Sequence, residues 1–299
     1  MEQDRNPERI LCGVSTRASE DGRLDIMPSD VRTAEQALLL ASRTGARVRF
    51  VHAVDWVDLR RDGPDVIELV EKELSDDWQG LARAAADLGV PIDREVRRGK
   101  PWRELVDAAQ DWKADLIVVS PRRSDVSFTG RIVHGSTAKR LLNESPCPVW
   151  IVSGGTTGVR RVLALIDRSE MSSRVVSAAR SLAKAFGAEL HALSCLEYPD
   201  DAALHRLRGA AEEIARYHRE ERQRAWDDLE RLTDDGETRW SLSLGEDWVV
   251  RQAPKVVADK EIDLVVLAGR SKPALAGKLG TTAQKLLDRM DASVWVIRP

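Results

Sequence analysis

The chain is 299 residues long, 42% hydrophobic and 32% charged, with a formal net charge of -3. That length suits about two ordinary domains, the composition excludes a disordered chain, and the intermixed acids and bases give no general electrostatic reason to bind nucleic acid. The longest apolar runs, such as Leu116 to Val119 and Leu264 to Ala268, are strand-sized and far short of the roughly 20 residues that cross a bilayer.

The chain opens on alternating charges (Glu2, Asp4, Arg5, Glu8, Arg9) where a secretory signal needs an apolar core, so a cytoplasmic protein without a membrane partner is expected. Strands are then predicted at residues 10–15, 47–53, 92–96, 115–120 and 149–152. An amphipathic stretch over 34–42 separates the first two, and Gly45 is placed to stop it as a C-cap. After the fourth strand comes a basic loop with Arg122, Arg123 and Arg131, ending in Gly135, Ser136 and Thr137 at a helix start. A turn-rich segment around 154–158 closes this half.

The pattern then repeats. Residues 280–287 (GTTAQKLL) line up with 135–142 (GSTAKRLL), 293–297 (SVWVI) with 148–152 (PVWIV), 262–267 (IDLVVL) with 114–119 (ADLIVV), and 190–193 (LHAL) with 51–54 (VHAV). The second set of strands falls at 162–166, 189–194, 239–243, 263–268 and 294–297, with a helical stretch over 175–186 stopped by Gly187 and a long charged one within 200–235. Two domains follow, residues 1–157 and 158–299. Each alternates strands with helices, which is the pattern of a five-stranded parallel sheet with flanking helices. The last strands carry Trp150 and Trp295 at sheet edges. Apolar edges of that kind are seldom left open, so the two domains are expected to pair there as a pseudo-symmetric unit.

In an open parallel sheet, ligands gather at the carboxyl ends of the strands where strand order reverses, between the first and fourth strands of each half. In the first half this selects Ser15, Ser120 and the Gly135 loop. In the second it selects Asp167, Ala268, Gly269 and the loop with Arg270, Lys272 and Lys278 that ends in Gly280, Thr281 and Thr282. Free helix amides, added hydroxyls and nearby cations suit an anion such as phosphate; a plain Ser or Thr N-cap is the competing reading. His52 and His191 read as structural histidines, and Cys12, Cys147 and Cys195, widely spaced and without a CxxC pair, read as small buried hydrophobes. No metal site, nucleophile elbow or full Walker loop is present in the sequence, so an enzyme is not the expectation.

These residues resemble the universal stress protein family, in tandem form, over nearly the whole chain. The resemblance implies a flavodoxin-like (Rossmann-type) α/β fold in both halves and a stress-response binding or signalling module. ATP-binding members carry Gly, two residues, Gly, nine residues, Gly, then Ser or Thr, with an Asp ending the first strand. Asp167, Gly280 and Thr281 match that pattern, Ala192 falls where the family sets backbone beside adenine, and Ala268 and Ser271 stand at the first two glycines of a loop one residue short. In the first half Ser15 replaces the Asp, Ser120 and Arg123 replace the glycines, Ala53 takes the adenine position, and the loop is two residues long of the pattern. ATP or AMP, with Mg²⁺, is therefore expected in the second domain and a smaller anion in the first. The alternatives are a slow ATPase or phosphotransferase that uses Asp167 for Mg²⁺, with Thr281 or Ser169 near the phosphates, and a ligand-free interaction scaffold. A homodimer of the whole chain stands beside the internal pairing.

Overall fold

The structure is a computed structural model that describes residues 6–18, 24–55, 66–121, 136–153, 158–196, 211–270 and 279–298. In the first half the chain runs β1 (Arg9–Val14), β2 (Thr16–Ala18), β3 (Leu24–Ile26), α1 (Pro28–Thr44), β4 (Arg47–Val54), α2 (Val66–Glu73), α3 (Ser75–Asp87), β5 (Ile92–Arg98), α4 (Pro101–Trp112), β6 (Leu116–Val119), α5 (Ser136–Glu144) and β7 (Val149–Ile151). In the second it runs β8 (Arg161–Ile166), α6 (Ser172–Phe186), β9 (Glu189–Cys195), α7 (Ala211–Thr233), β10 (Trp240–Gly245), α8 (Val249–Asp259), β11 (Leu264–Ala268), α9 (Thr281–Leu287) and β12 (Ser293–Ile297).

Local chemistry explains the boundaries. Pro28 and Pro101 open α1 and α4, where a missing N–H costs nothing. Gly45 and Gly187 close α1 and α6 at φ 74° and 68°, a left-handed conformation that side chains with a Cβ resist. The central strands are buried on both faces, as in β6, where all four residues are inside, and so they read as continuous aliphatic runs.

Ten strands form one sheet in the order β10-β9-β8-β11-β12-β7-β6-β1-β4-β5. Within each half of this sheet all pairs are parallel, and in it only β7 and β12 run antiparallel, with Trp150 directly opposite Trp295; β2 and β3 form a separate antiparallel pair. Trp150 is fully buried, its ring 5.8 Å from that of Trp295 and 6.2 Å from Phe186 of α6. The two expected sheets are thus joined edge to edge. Helices cover both faces: α1, α3 and α6 pack over one with Phe50, Trp78 and Trp150, while α4, α5, α8 and α9 pack over the other. Each apolar layer runs without a break through both halves.

The duplication extends to side-chain staples. Oδ2 of Asp115 accepts the amides of Glu8 and Arg9 at 3.0 and 2.9 Å, and Oδ2 of Asp263 accepts those of Arg160 and Arg161 at 2.8 and 2.9 Å. Two departures from the sequence expectation stand out. The first half contains the β2–β3 hairpin, two strands of three residues each, too short to leave a periodic signal. The histidines are also not equivalent. His52 pairs with Val14 at the end of β1, whereas the residue in that place beside β8 is Ser194, opposite Ile166; His191 sits three positions earlier, opposite Leu163. An odd offset turns a strand side chain to the other face, so His191 matches Arg49 and not His52.

Candidate functional site

Strand order reverses between β1 and β6 in the first half and between β8 and β11 in the second, and each reversal opens a cleft at the strand ends. The first cleft has a volume of about 720 Å³ and the second about 460 Å³, both within the range of small-molecule sites.

In the second cleft, Asp167, exposed just beyond β8, lines the same cavity as Ala268, Gly269, Arg270, Gly280, Thr281 and Thr282. The described ends of the segment between β11 and α9 meet: the Gly280 amide donates to the Gly269 carbonyl at 2.8 Å. A Cβ on Gly280 would stand 3.2 Å from that oxygen, and one on Gly269 3.1 Å from a Val296 methyl and 3.2 Å from the Ile297 carbonyl, so a larger residue at either end would have to push its neighbours back by a few tenths of an ångström. The start of α9 is capped by no side chain of the described residues, and Nε of Arg270 is buried without a hydrogen-bond partner among them. The neighbouring Arg298 has its pKa pushed down, by burial first and then by the charge of Arg270. Arg270 thus stands on the cleft wall with a buried donor, and Arg298 lies behind it, engaged with the carbonyls of Leu142, Asn143 and Ser145.

The first cleft is built from the same parts with the roles reversed. Ser15, Ala53, Ser120 and Thr137 line it as expected, but the sequence reading missed its carboxylate. Asp30, in the first turn of α1 and only 1% exposed, accepts from the Ser15 amide at 2.7 Å and the Ser15 hydroxyl at 2.5 Å on Oδ2, and from the Ser120 hydroxyl on Oδ1. Its counterpart, at the same distance ahead of the capping glycine, is Ser172, whose hydroxyl donates to Oδ1 of Asp167 at 3.3 Å. One half carries serine on the strand end and aspartate on the helix; the other carries the converse. The legible signal was the Pro-Ser-Asp run, a helix-opening pattern.

His52 also lines this cleft, with Nδ1 held 3.0 Å from the Val14 carbonyl. A carbonyl only accepts, so Nδ1 carries the hydrogen and Nε2 is an acceptor. Burial pushes the His52 pKa down, against the hydrogen bond to Val14 and the charge of Asp30, which pull it up.

Ala192 requires a correction. It lies mid-strand opposite Ala164, fully buried and away from the cleft, and Cys195, half-buried, lines the second cavity in the place that Ala53 holds in the first. The three-residue slip in aligning the histidines carried Ala192 with it. Cys12 and Cys147 are buried as expected, and burial pushes the Cys147 thiol up to about 12. Ser136 begins α5. Arg122, Arg123, Arg131, Gly135, Ser271, Lys272 and Lys278 lie outside the described residues.

The sequence profile of the universal stress protein family matches residues 25–153 and again 158–298. The chain belongs to that family. Its tandem form puts two such domains in one polypeptide. A universal stress protein of Methanocaldococcus jannaschii is 31% identical over 139 residues, which cover 42% of this chain and 79% of the relative. Among solved structures, a functionally unknown protein of Pseudomonas aeruginosa PAO1 superposes over 100% of this chain and 95% of its own with a TM-score of 0.73 at 16% identity. A universal stress protein from Archaeoglobus fulgidus DSM 4304 does so over 100% and 99% with a TM-score of 0.70 at 15% identity. These neighbours share the doubly wound α/β fold across the full length.

Proposed function

We propose that this tandem universal stress protein is a binding module whose second domain takes the anionic end of a nucleotide, ATP or AMP, at the β8–β11 crevice. The observation that carries the reading is the Arg270 guanidinium, with Nε buried and unpartnered in the same cavity as Gly280, Thr281 and the exposed Asp167. A phosphate there accepts from Arg270 and from the two threonine hydroxyls, and relieves the mutual repulsion of Arg270 and Arg298. Glycines 269 and 280 let the two ends of the segment between β11 and α9 lie close together beside that cavity. The donor set fits the anionic end of the ligand. Among the described residues no group of three or more His, Cys, Asp or Glu is placed to hold a metal, so Mg²⁺, if it accompanies the nucleotide, rests on Asp167 and on the phosphates themselves.

The test is calorimetric titration of ATP and AMP into the full chain. We expect a Thr281→Asp variant, which sets a carboxylate where the phosphate lies, to weaken binding at least tenfold, and Asp167→Ala to weaken only the Mg²⁺-dependent part. Nucleotide binding that Thr281→Asp leaves intact overturns the assignment. Native mass spectrometry of the purified protein gives an independent readout of any ligand carried along.

A further inference from the structure

The reversed Ser/Asp pair has a consequence for what the first cleft accepts. The Ser15 amide and hydroxyl stand at the end of β1 and the Ser120 hydroxyl at the end of β6, on the two sides of the crevice, and all three donate to Asp30. They are the donors that the two strand ends offer to a ligand anion entering that crevice. The Asp30 carboxylate already occupies them as an internal anion.

A second phosphate-bearing anion would meet a buried like charge with the strand-end donors spent. Of the other described lining residues, the Thr16 and Thr137 hydroxyls can donate or accept, and the deeper polar groups accept. His52, 4% exposed, presents Nε2 with no partner among the described residues; the Asp55 carboxylate lines the cavity nearby, half-buried; Val51, Val54 and Leu105 supply apolar surface. Arg17, exposed at the rim, is the one arginine or lysine among the described lining residues.

We propose that the first-domain cleft binds a neutral ligand of nucleoside size that carries N–H or O–H donors, and excludes the phosphorylated ligand that the second cleft takes. The two domains then divide one ligand class by charge, and the residue that decides it is the aspartate: inside on α1 in the first domain, outside on the strand end in the second. This inference concerns a different cleft from the one assigned above and does not depend on nucleotide binding there.

Adenosine and AMP differ only in the phosphate, so the pair isolates charge. Both are titrated calorimetrically into the full chain carrying Cys195→Trp, which fills the second cleft at the place Ala53 holds in the first and so leaves the first cleft as the source of the heat. Adenosine is expected to bind, with AMP at least tenfold weaker. Ala53→Trp, which fills the first cleft, is expected to abolish the adenosine signal. The exchange Ser15→Asp with Asp30→Ser, which reproduces the second-domain arrangement, should shift the preference at least tenfold towards AMP. If the exchange variant melts early, Asp30→Asn, isosteric and uncharged, must show the same direction of shift. AMP binding as tight as adenosine in the parent, no adenosine binding at millimolar concentration, or adenosine heat that survives Ala53→Trp each overturns the proposal.

Discussion

His52 and His191 share a chemical situation despite sitting on opposite faces of the sheet. Burial pushes both pKa values below the usual histidine range, with the Lys260 charge adding to the effect at His191. The unfolded chain therefore binds protons at these positions at a pH where the folded chain does not. Stability contributed by the neutral rings is fully present above the unfolded pKa near 6.5 and is lost as pH falls from there towards the lower folded values. Urea unfolding should accordingly show ΔG declining between about pH 7 and pH 5, with a slope of at most about 1.4 kcal/mol per pH unit for each proton. Replacing both with glutamine should flatten that slope; a slope unchanged in the double variant assigns it elsewhere. At this scale the sequence was legible in part. Asp167, Gly280 and Thr281 were found because the strand-end position and the glycine mark them. Asp30 was not, because a carboxylate in a first helical turn is ordinary in sequence and only the fold brings it between Ser15 and Ser120. The histidine match failed because VHAV and LHAL resemble each other in letters, while register follows from the glycine caps, which stand at different distances from the two histidines.

Elements were the most legible part, for a physical reason: strands buried on both faces need unbroken aliphatic runs, and helices need a stop. Gly45 and Gly187 perform that stop in the left-handed region, and a Cβ at either would meet nothing within 4 Å. Substitution there is a conformational cost without a steric one. Gly45→Ala and Gly187→Ala should each destabilise by about 1 kcal/mol, with Gly45→Asn milder because asparagine tolerates this region. The two caps close different helices and share no partner, so the double alanine variant should sum the singles within about 0.5 kcal/mol in chemical denaturation. A marked departure from additivity would mean that α1 and α6, which face each other over the same apolar layer, transmit strain between the halves.

For the whole molecule, the decisive feature is that neither half closes its own sheet. β7 and β12, each paired inside its own half with β6 and β11, pair with each other across the junction, and further ties cross it: the Arg298 guanidinium donates to the carbonyls of Leu142, Asn143 and Ser145 at the end of α5, Asn143 accepts the Leu279 amide at 2.6 Å, and Lys139 pairs with Asp288 at 3.0 Å. Leu279 immediately precedes Gly280 of the second cleft, so one of these ties reaches the edge of that cleft. Trp150 stands at the centre of this arrangement with no exposed surface. Trp150→Asp sets an unpaired carboxylate opposite Trp295 in an apolar layer, where a buried charge costs several kcal/mol. Trp150→Phe keeps the apolar contact and loses only volume. In the parent chain, fluorescence and circular dichroism should report one coincident unfolding transition, because both apolar layers are continuous across the junction. Trp150→Asp should lower the transition by roughly 10 °C and split it, with small-angle scattering giving a larger radius of gyration as the halves part, while Trp150→Phe should stay single and compact. An aspartate variant with unchanged melting temperature and unchanged compactness would mean that the cross-junction ties outside the sheet hold the domains together, and that the edge pairing of β7 with β12 is not what makes the two domains one folding unit.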